Sequence, residues 1–173
     1  MTIEIITTDR LVLRSTGKSD FDSLYKAIFS APEVMLHAFG GEPYSADSAA
    51  DFFENCFDHD GNGKQLGVLS KKDSDTIVGF AGLLECPVLG EPDYEIGFVL
   101  GREFWGQGYA TEIGQAQIEY GRSVIGCKRL LAQVAPTNQS SISVLRKIGM
   151  VYHTRVETES RGMREIYITQ GTI

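Results

Sequence analysis

The sequence is poor in the residues that build covalent and metal frameworks. Its three cysteines, Cys56, Cys86 and Cys127, are odd in number and widely spaced. That excludes a disulfide framework and points to a reducing, cytoplasmic setting. The three histidines, His37, His59 and His153, have no metal-ligand spacing with one another or with a cysteine, so no metal is expected. No apolar run approaches the roughly 20 residues that span a bilayer, and Met1-Thr2-Ile3-Glu4 lacks the basic-then-apolar plan of a signal peptide. Basic residues are outnumbered 16 to 23, for a formal net charge of −7. Nucleic acid is therefore not an expected partner, and neither is a membrane. An acidic surface suits a cationic acceptor, and it equally suits plain solubility. There is no G-x-S-x-G elbow, no internal repeat and no low-complexity segment. At 173 residues and 42% hydrophobic, the chain suits one domain over residues 1–173 with a full core.

What is present centres on Asp93 to Val124. Tyr94 to Leu100 is aromatic and aliphatic and predicts a half-buried strand. Gly101 to Gly108 follows with three glycines in eight positions, and then an amphipathic run. Such a turn leaves backbone N–H groups unshielded at the positive end of a helix dipole, a receptor for phosphate oxygens. A Walker loop is excluded, because Gln107-Gly108 stand where Lys-Ser must be. A dinucleotide fingerprint fails at its third glycine and lies too late in the chain. Asp58-His59-Asp60-Gly61-Asn62-Gly63 has the opening of a calcium loop, but Leu69 occupies the position of its bidentate glutamate, so it is read as a polar turn.

In chain order, Thr8 to Arg14 alternates and predicts the first strand. Ser19 or Asp20 caps a helix with Phe21, Leu24, Tyr25, Ile28 and Phe29 on one face, stopped at Ala31-Pro32. Glu33 to Tyr44 is irregular. Ser45 or Asp47 opens a second helix through Phe57, and the two helices are expected to wall a substrate cleft. Leu66–Ser70 and Thr76–Leu84 form a hairpin, followed by a loop and the central strand. The helix from Tyr109 carries Gly114 and Gly121, a sign of close packing on a sheet, and closes at Gly126. Arg129–Val134 is a strand. Asn138 caps a short helix ending at Gly149, and strands Met150–Val156 and Arg164–Ile168 close the chain around Gly162. The order β-α-α-β-β-β-α-β-α-β-β gives an α/β class: a mixed, mostly antiparallel sheet with helices on both faces.

These segments together resemble the GCN5-related N-acetyltransferases (GNAT), in particular the ribosomal-protein N-acetyltransferases of RimJ/RimL type. The resemblance lies in Thr8-Asp9-Arg10-Leu11-Val12-Leu13-Arg14, Tyr94-Glu95-Ile96-Gly97, Phe104-Trp105-Gly106-Gln107-Gly108-Tyr109-Ala110-Thr111-Glu112, and Asn138-Gln139-Ser140-Ser141 with Leu145 to Met150. It implies acetyl-coenzyme A as donor and a primary amine as acceptor, on a small molecule or a protein N-terminus. Phe98, Val99 and Leu100 would pair the pantetheine arm where the family's fourth strand splays from its fifth. Gly106, Gln107, Gly108, Tyr109, Ala110 and Thr111 would hold the pyrophosphate, and Asn138 would bond the pantetheine region or serve as a plain helix cap. Homodimers are common among such proteins. The wider family's turn begins with Gln or Arg where this chain has Trp105, whose ring is expected to pack, leaving phosphate to the backbone. Its usual tyrosine acid is replaced by Leu145.

An amine with a pKa of about 10.4 must lose a proton before it attacks a thioester. Glu95, on the same face of the strand as Gly97, is the candidate general base, with an electrostatic clamp for the ammonium as its other role. Ser141 is the candidate acid for the leaving thiolate, with a helix-start residue as its alternative. A backbone N–H near Phe98 would polarise the carbonyl. His37 could orient the acceptor, whose recognition is assigned to Glu33–Tyr44 and the last hairpin. Two other readings stay open: a non-catalytic acyl-coenzyme A-binding regulatory module, and a nucleotide-binding oxidoreductase.

Overall fold

The computed structural model describes residues 1–171; the last two residues of the expected domain span lie outside them. Strand β1 (Glu4–Thr7) and strand β2 (Leu11–Arg14) form a hairpin, where alternation alone predicted one strand from Thr8. The reason is a local turn: the Thr8 and Leu11 backbones bond at 2.9 Å, and the Leu11 N–H reaches Thr8 Oγ1 at 3.0 Å. Helix α1 (Asp20–Leu24) continues as a π turn over Tyr25–Phe29. Pro32, expected only to stop that helix, also opens a short helix α2 (Pro32–Met35), since its fixed φ suits a first helical position. Helix α3 (Ala46–Cys56) is capped by Ser45, whose side chain accepts from the Ser48 N–H.

Strands β3 (Leu66–Lys71), β4 (Ile77–Cys86) and β5 (Asp93–Leu100) form an antiparallel meander. Helix α4 (Tyr109–Tyr120) follows, extended by a π turn over Gly121–Ile125, and then come β6 (Leu130–Val134), α5 (Gln139–Lys147), β7 (Met150–Thr158) and β8 (Gly162–Thr169). The sheet order is β1-β2-β3-β4-β5-β6-β8-β7, and among the described residues β5 with β6 is the one parallel pair of strands. The expected mixed, mostly antiparallel sheet is thus present, with one strand and one short helix more than the sequence predicted.

Helices α1 to α3 pack on one face, where Phe29, Phe57 and Phe80 join Leu66 and Val68. On the other face α4 presents Ile113 to Leu69, Val78 and Ala81, and α5 presents Ile142 and Leu145 to Ala132 and Tyr167. Gly121 meets the sheet as expected: a methyl there would press on Leu130 and Leu83. At Gly114 a methyl would meet Ile148, just past α5, and the ring of Phe98 on β5. The polar turn at Asp58 is held by its buried carboxylate, which accepts the N–H groups of Asp60, Gly61, Asn62 and Gly63.

The feature that positions the site is a divergence. Strands β5 and β6 pair only at Tyr94–Leu130 and Glu95–Leu131. Beyond Glu95, β5 stays with β4 as far as Leu100, whereas β6 stays with β8. A wedge opens between them.

Candidate active site

A cavity of about 1110 Å³ runs through this wedge. Along it lie Glu95, Gly97, Phe98, Val99 and Leu100 of β5, the turn residues Gly106, Gly108, Tyr109, Ala110 and Thr111, and Asn138 and Ser141 of the α5 start. The structure therefore brings together every expected site residue but one. Gln107 lies outside: its side chain donates to the Glu103 carbonyl at 2.9 Å and its own carbonyl accepts from Arg10.

At one end is the glycine turn. Gly106 and Gly108 have φ of +72° and +81°, a left-handed region that side chains resist. Gly108 caps α4 with no side-chain bond. Among the described residues, the N–H groups from Gly106 to Thr111 have no intramolecular acceptor, so several donors converge at the positive end of α4. The Tyr109 ring is buried in the core with the Arg10 guanidinium 4.4 Å above it, leaving only its backbone for a ligand. Trp105 departs from its expected packing: it is 42% exposed, its N–H donates to the Leu100 carbonyl at 2.9 Å, and Arg102 stacks on it. It ties the strand end to the turn.

The turn is also anchored to the β1–β2 hairpin. Glu112 accepts from Thr8 Oγ1 at 2.6 Å, from the Arg10 N–H at 2.9 Å and from Arg10 Nε at 2.6 Å. Burial alone would raise this carboxyl, but the bonds from Thr8 and Arg10 outweigh it and hold it below the ordinary carboxylate range. A depressed carboxyl contributes stability that is present above its unfolded pKa and is lost as pH falls through its folded one. We expect the gap in urea midpoint between the parent and Glu112→Gln to be largest near neutral pH and to close as pH drops below about 4. Because Arg10 is well exposed, solvent screening limits the gap to about 1 kcal/mol. A gap that does not vary with pH would remove the ionic anchor.

In the middle of the cavity, Asn138 brackets Ser141: its carbonyl oxygen accepts the Ser141 N–H at 3.2 Å, and its amide nitrogen donates to Ser141 Oγ at 3.0 Å. A hydroxyl oxygen that accepts here keeps its own proton free to donate. Leu145 is buried among apolar neighbours. Gln117, from α4, donates to the carbonyls of Gly82 and Gly97, each at 2.9 Å. Since the peptide is planar and trans, the Phe98 N–H points the opposite way from that Gly97 carbonyl.

At the far end sits Glu95, 7% exposed. Its carboxylate pairs with Arg161 Nη1 at 3.0 Å and accepts from Gln133 Nε2 at 3.0 Å. Arg164 lies nearby, and His37 and Phe39 close the wall. The wall is thus built by α2 and the segment after it, not by α1 and α3, which spend their aromatic faces on the core. Sequence reading missed Gln133, Arg161 and Arg164, which belong to no motif; for the two arginines the only available signal was their place in or beside the last hairpin loop. His59 is structural, bonded to Thr16 Oγ1 and to the Phe53 and Glu54 carbonyls, and His153 is exposed on β7. Burial pushes the Cys86 thiol above its ordinary range, which suits a packing role. Among the described residues, no three His, Cys, Asp or Glu side chains are grouped to hold a metal ion, and no helix is long and apolar enough to cross a membrane.

A strand wedge opening onto a glycine turn at a helix start is the architecture of an acetyltransferase. The family model described as "Acetyltransferase (GNAT) domain" matches residues 10–151, and the chain belongs to that family. It is 32% identical over 145 residues, covering 84% of this chain and 81% of the other, to the uncharacterized N-acetyltransferase YnaD of Bacillus subtilis (strain 168). Its fold is similar to a GNAT-family acetyltransferase from Bacillus anthracis, with a TM-score of 0.77 at 23% identity over 94% of this chain and 96% of that one. It is also similar to spermidine N-acetyltransferase from Vibrio cholerae in complex with CoA and spermine, with a TM-score of 0.72 at 16% identity over 93% and 94% of the two chains.

Proposed function

We propose that the chain is a cytoplasmic, acetyl-coenzyme A-dependent N-acetyltransferase of the ribosomal-protein (RimJ/RimL) type, acting on a primary amine within a ternary complex. The observation that carries this reading is the continuity of one cavity from unpaired turn amides, past an open strand edge, to a buried carboxylate. The turn amides from Gly106 to Thr111 suit the pyrophosphate. The edge of β5 at Phe98 to Leu100 suits a pantetheine arm, and Asn138 lies within the same wall. When bound, acetyl-coenzyme A supplies an acetyl thioester, whose acetyl group passes to the amine nitrogen as the carbon–sulfur bond breaks.

The chain's own residues manage the protons. Glu95 receives the acceptor's ammonium and, as base, takes its proton; for that the ammonium must replace Arg161 at one carboxylate oxygen. Ser141, held by Asn138 with its hydroxyl proton free, returns a proton to the departing thiolate. The Phe98 N–H is the donor assigned to the carbonyl oxygen.

The test is a calorimetric titration with acetyl-coenzyme A, with NAD and ATP as controls. Selective binding is expected. Folded protein that prefers NAD, or binds none of the three, overturns the reading. Ser141→Ala then separates an enzyme from a binding module. We expect kcat to fall roughly 10²-fold with coenzyme affinity unchanged; an enzyme indifferent to the change assigns the proton elsewhere.

A further inference from the structure

The acceptor end of the cavity holds one positive charge too many. Glu95 and Arg161 neutralise each other through contacts of 3.0 and 3.4 Å. Arg164 has no such partner. It is 6% exposed, and its terminal nitrogens donate only to the backbone carbonyls of His37 and Phe39. Its Nε has no hydrogen-bond partner, and no carboxylate lies within ion-pair reach among the described residues. Burial, then the neighbouring Arg161, push this guanidinium below arginine's usual range, opposed by Glu95. Buried charges are ordinarily paired. Gln133, whose amide nitrogen donates to Glu95, lines the same cavity. This end of the cavity thus holds a cation without a counter-ion beside the Glu95–Arg161 pair.

The phosphates of a coenzyme are a poor match for that cation. Glu95 and the glycine turn lie beyond opposite ends of the exposed β5 edge, about 17 Å apart at roughly 3.3 Å per residue. A polyamine would bring a second cation toward two arginines. A protein N-terminus would bring an ammonium without the anion that Arg164 lacks.

The geometry points to a free α-amino acid as the acceptor, its amino group received by Glu95 and its carboxylate by Arg161 and Arg164. The Glu95–Arg161 pair is itself a carboxylate beside a cation, the complement of a zwitterion whose two charges are one carbon apart. Entry of an amino acid exchanges that one pair for two and adds no unpaired charge. The Phe39 backbone, at φ +48°, is strained for a bulky residue. Its carbonyl is bonded by Arg164 and its ring faces Arg161, so the wall that closes over the acceptor is fastened to the residues that would read its carboxylate.

The inference rests on the transferase reading, and the experiment separates the two. Thiol release is followed with free amino acids, their amides, the corresponding decarboxylated amines and spermidine. Free amino acids are expected to exceed their amides and the decarboxylated amines in kcat/KM by at least about 10²-fold. Arg164→Gln is expected to collapse that ratio toward one through KM, with acetyl-coenzyme A affinity unchanged by calorimetry. Amides or spermidine turned over as well as free amino acids overturn the carboxylate site while leaving the transferase intact. So does an Arg164→Gln enzyme that keeps the full preference; should that variant not fold, the parent's preference decides alone. Coenzyme binding with no panel member acetylated also sinks the inference. Failure to bind the coenzyme sinks the transferase reading as well.

Discussion

Replacing Gly97 by valine is expected to stop acetyl transfer while leaving the fold as stable as before or more so. Gly97 lies on β5 between Glu95 and Val99, on the same face of the strand. A Cβ built there meets nothing within 4 Å, and its φ lies outside the left-handed region. Neither backbone conformation nor packing within the chain therefore requires glycine. By contrast, a Cβ at Gly79 or Gly82 would run into the backbone of Val99 or Gln65, so glycine there serves the sheet itself. A strand glycine that faces open space marks where another molecule's backbone or arm approaches. Valine suits a strand better than glycine, by up to about 1 kcal/mol, but its methyls would stand in the wedge beside Glu95. Displacing reactants by about 1 Å can cost roughly 10²-fold, and a blocked channel costs more. We expect kcat/KM to fall by at least that factor, acetyl-coenzyme A affinity to weaken, and the urea midpoint to hold or rise. Full activity with an unchanged midpoint would move the ligand path away from β5.

The second large effect is expected from Glu95→Gln. The amide keeps the size of the side chain and an oxygen for Arg161 or Gln133, but it cannot take up a proton. Turnover should fall by roughly 10²- to 10⁴-fold, while binding of acetyl-coenzyme A stays intact, because the glycine turn proposed to hold it lies at the other end of β5. The pH profile separates the two roles open to Glu95. As a base, it matters most where the acceptor is protonated, so the gap between parent and variant narrows as pH rises toward the amine's own pKa of about 10.4 for a lysine-type amine. As a clamp alone, it acts through KM, and the gap in kcat is absent. Because Arg161 loses its carboxylate in this variant, the midpoint of unfolding is measured alongside, so that a loss of fold is not taken for a loss of chemistry.

Local signals were legible where one stretch of chain carries the whole physical cause. The turn at Gly106–Gly108 followed from residues that tolerate positive φ ahead of an amphipathic run. The caps at Ser45 and Asn138 followed from short side chains that reach the third N–H beyond them, and both bonds are present. The opening hairpin was misread because strict alternation is the same on either side of a tight turn, and only the bond from Leu11 back to Thr8 breaks it. Helix α2 was missed because four residues beginning at proline are too short to show a period. The expected packing of Trp105 failed for another reason: its indole N–H finds the Leu100 carbonyl at the rim, which holds the ring half in solvent.

By itself the sequence determined most of the order of strands and helices, the glycine turn ahead of α4 and the placement of Glu95 and Ser141 on elements that bear them. Each of these is set by periodicity, capping chemistry or glycine over a few neighbouring residues. Only the tertiary structure decided where β5 and β6 part company, since that depends on which neighbour each strand keeps across the sheet. It also decided that Arg161 and Arg164 meet Glu95, Gln133 and the carbonyls of His37 and Phe39. Those groups come from the last hairpin, two central strands and the segment after α2, and no spacing in the chain relates them. Pairing of β8 with β6, and of β6 with the start of β5, brings the two arginines to the buried carboxylate. The charge pattern at that end of the cavity is therefore set by strand order.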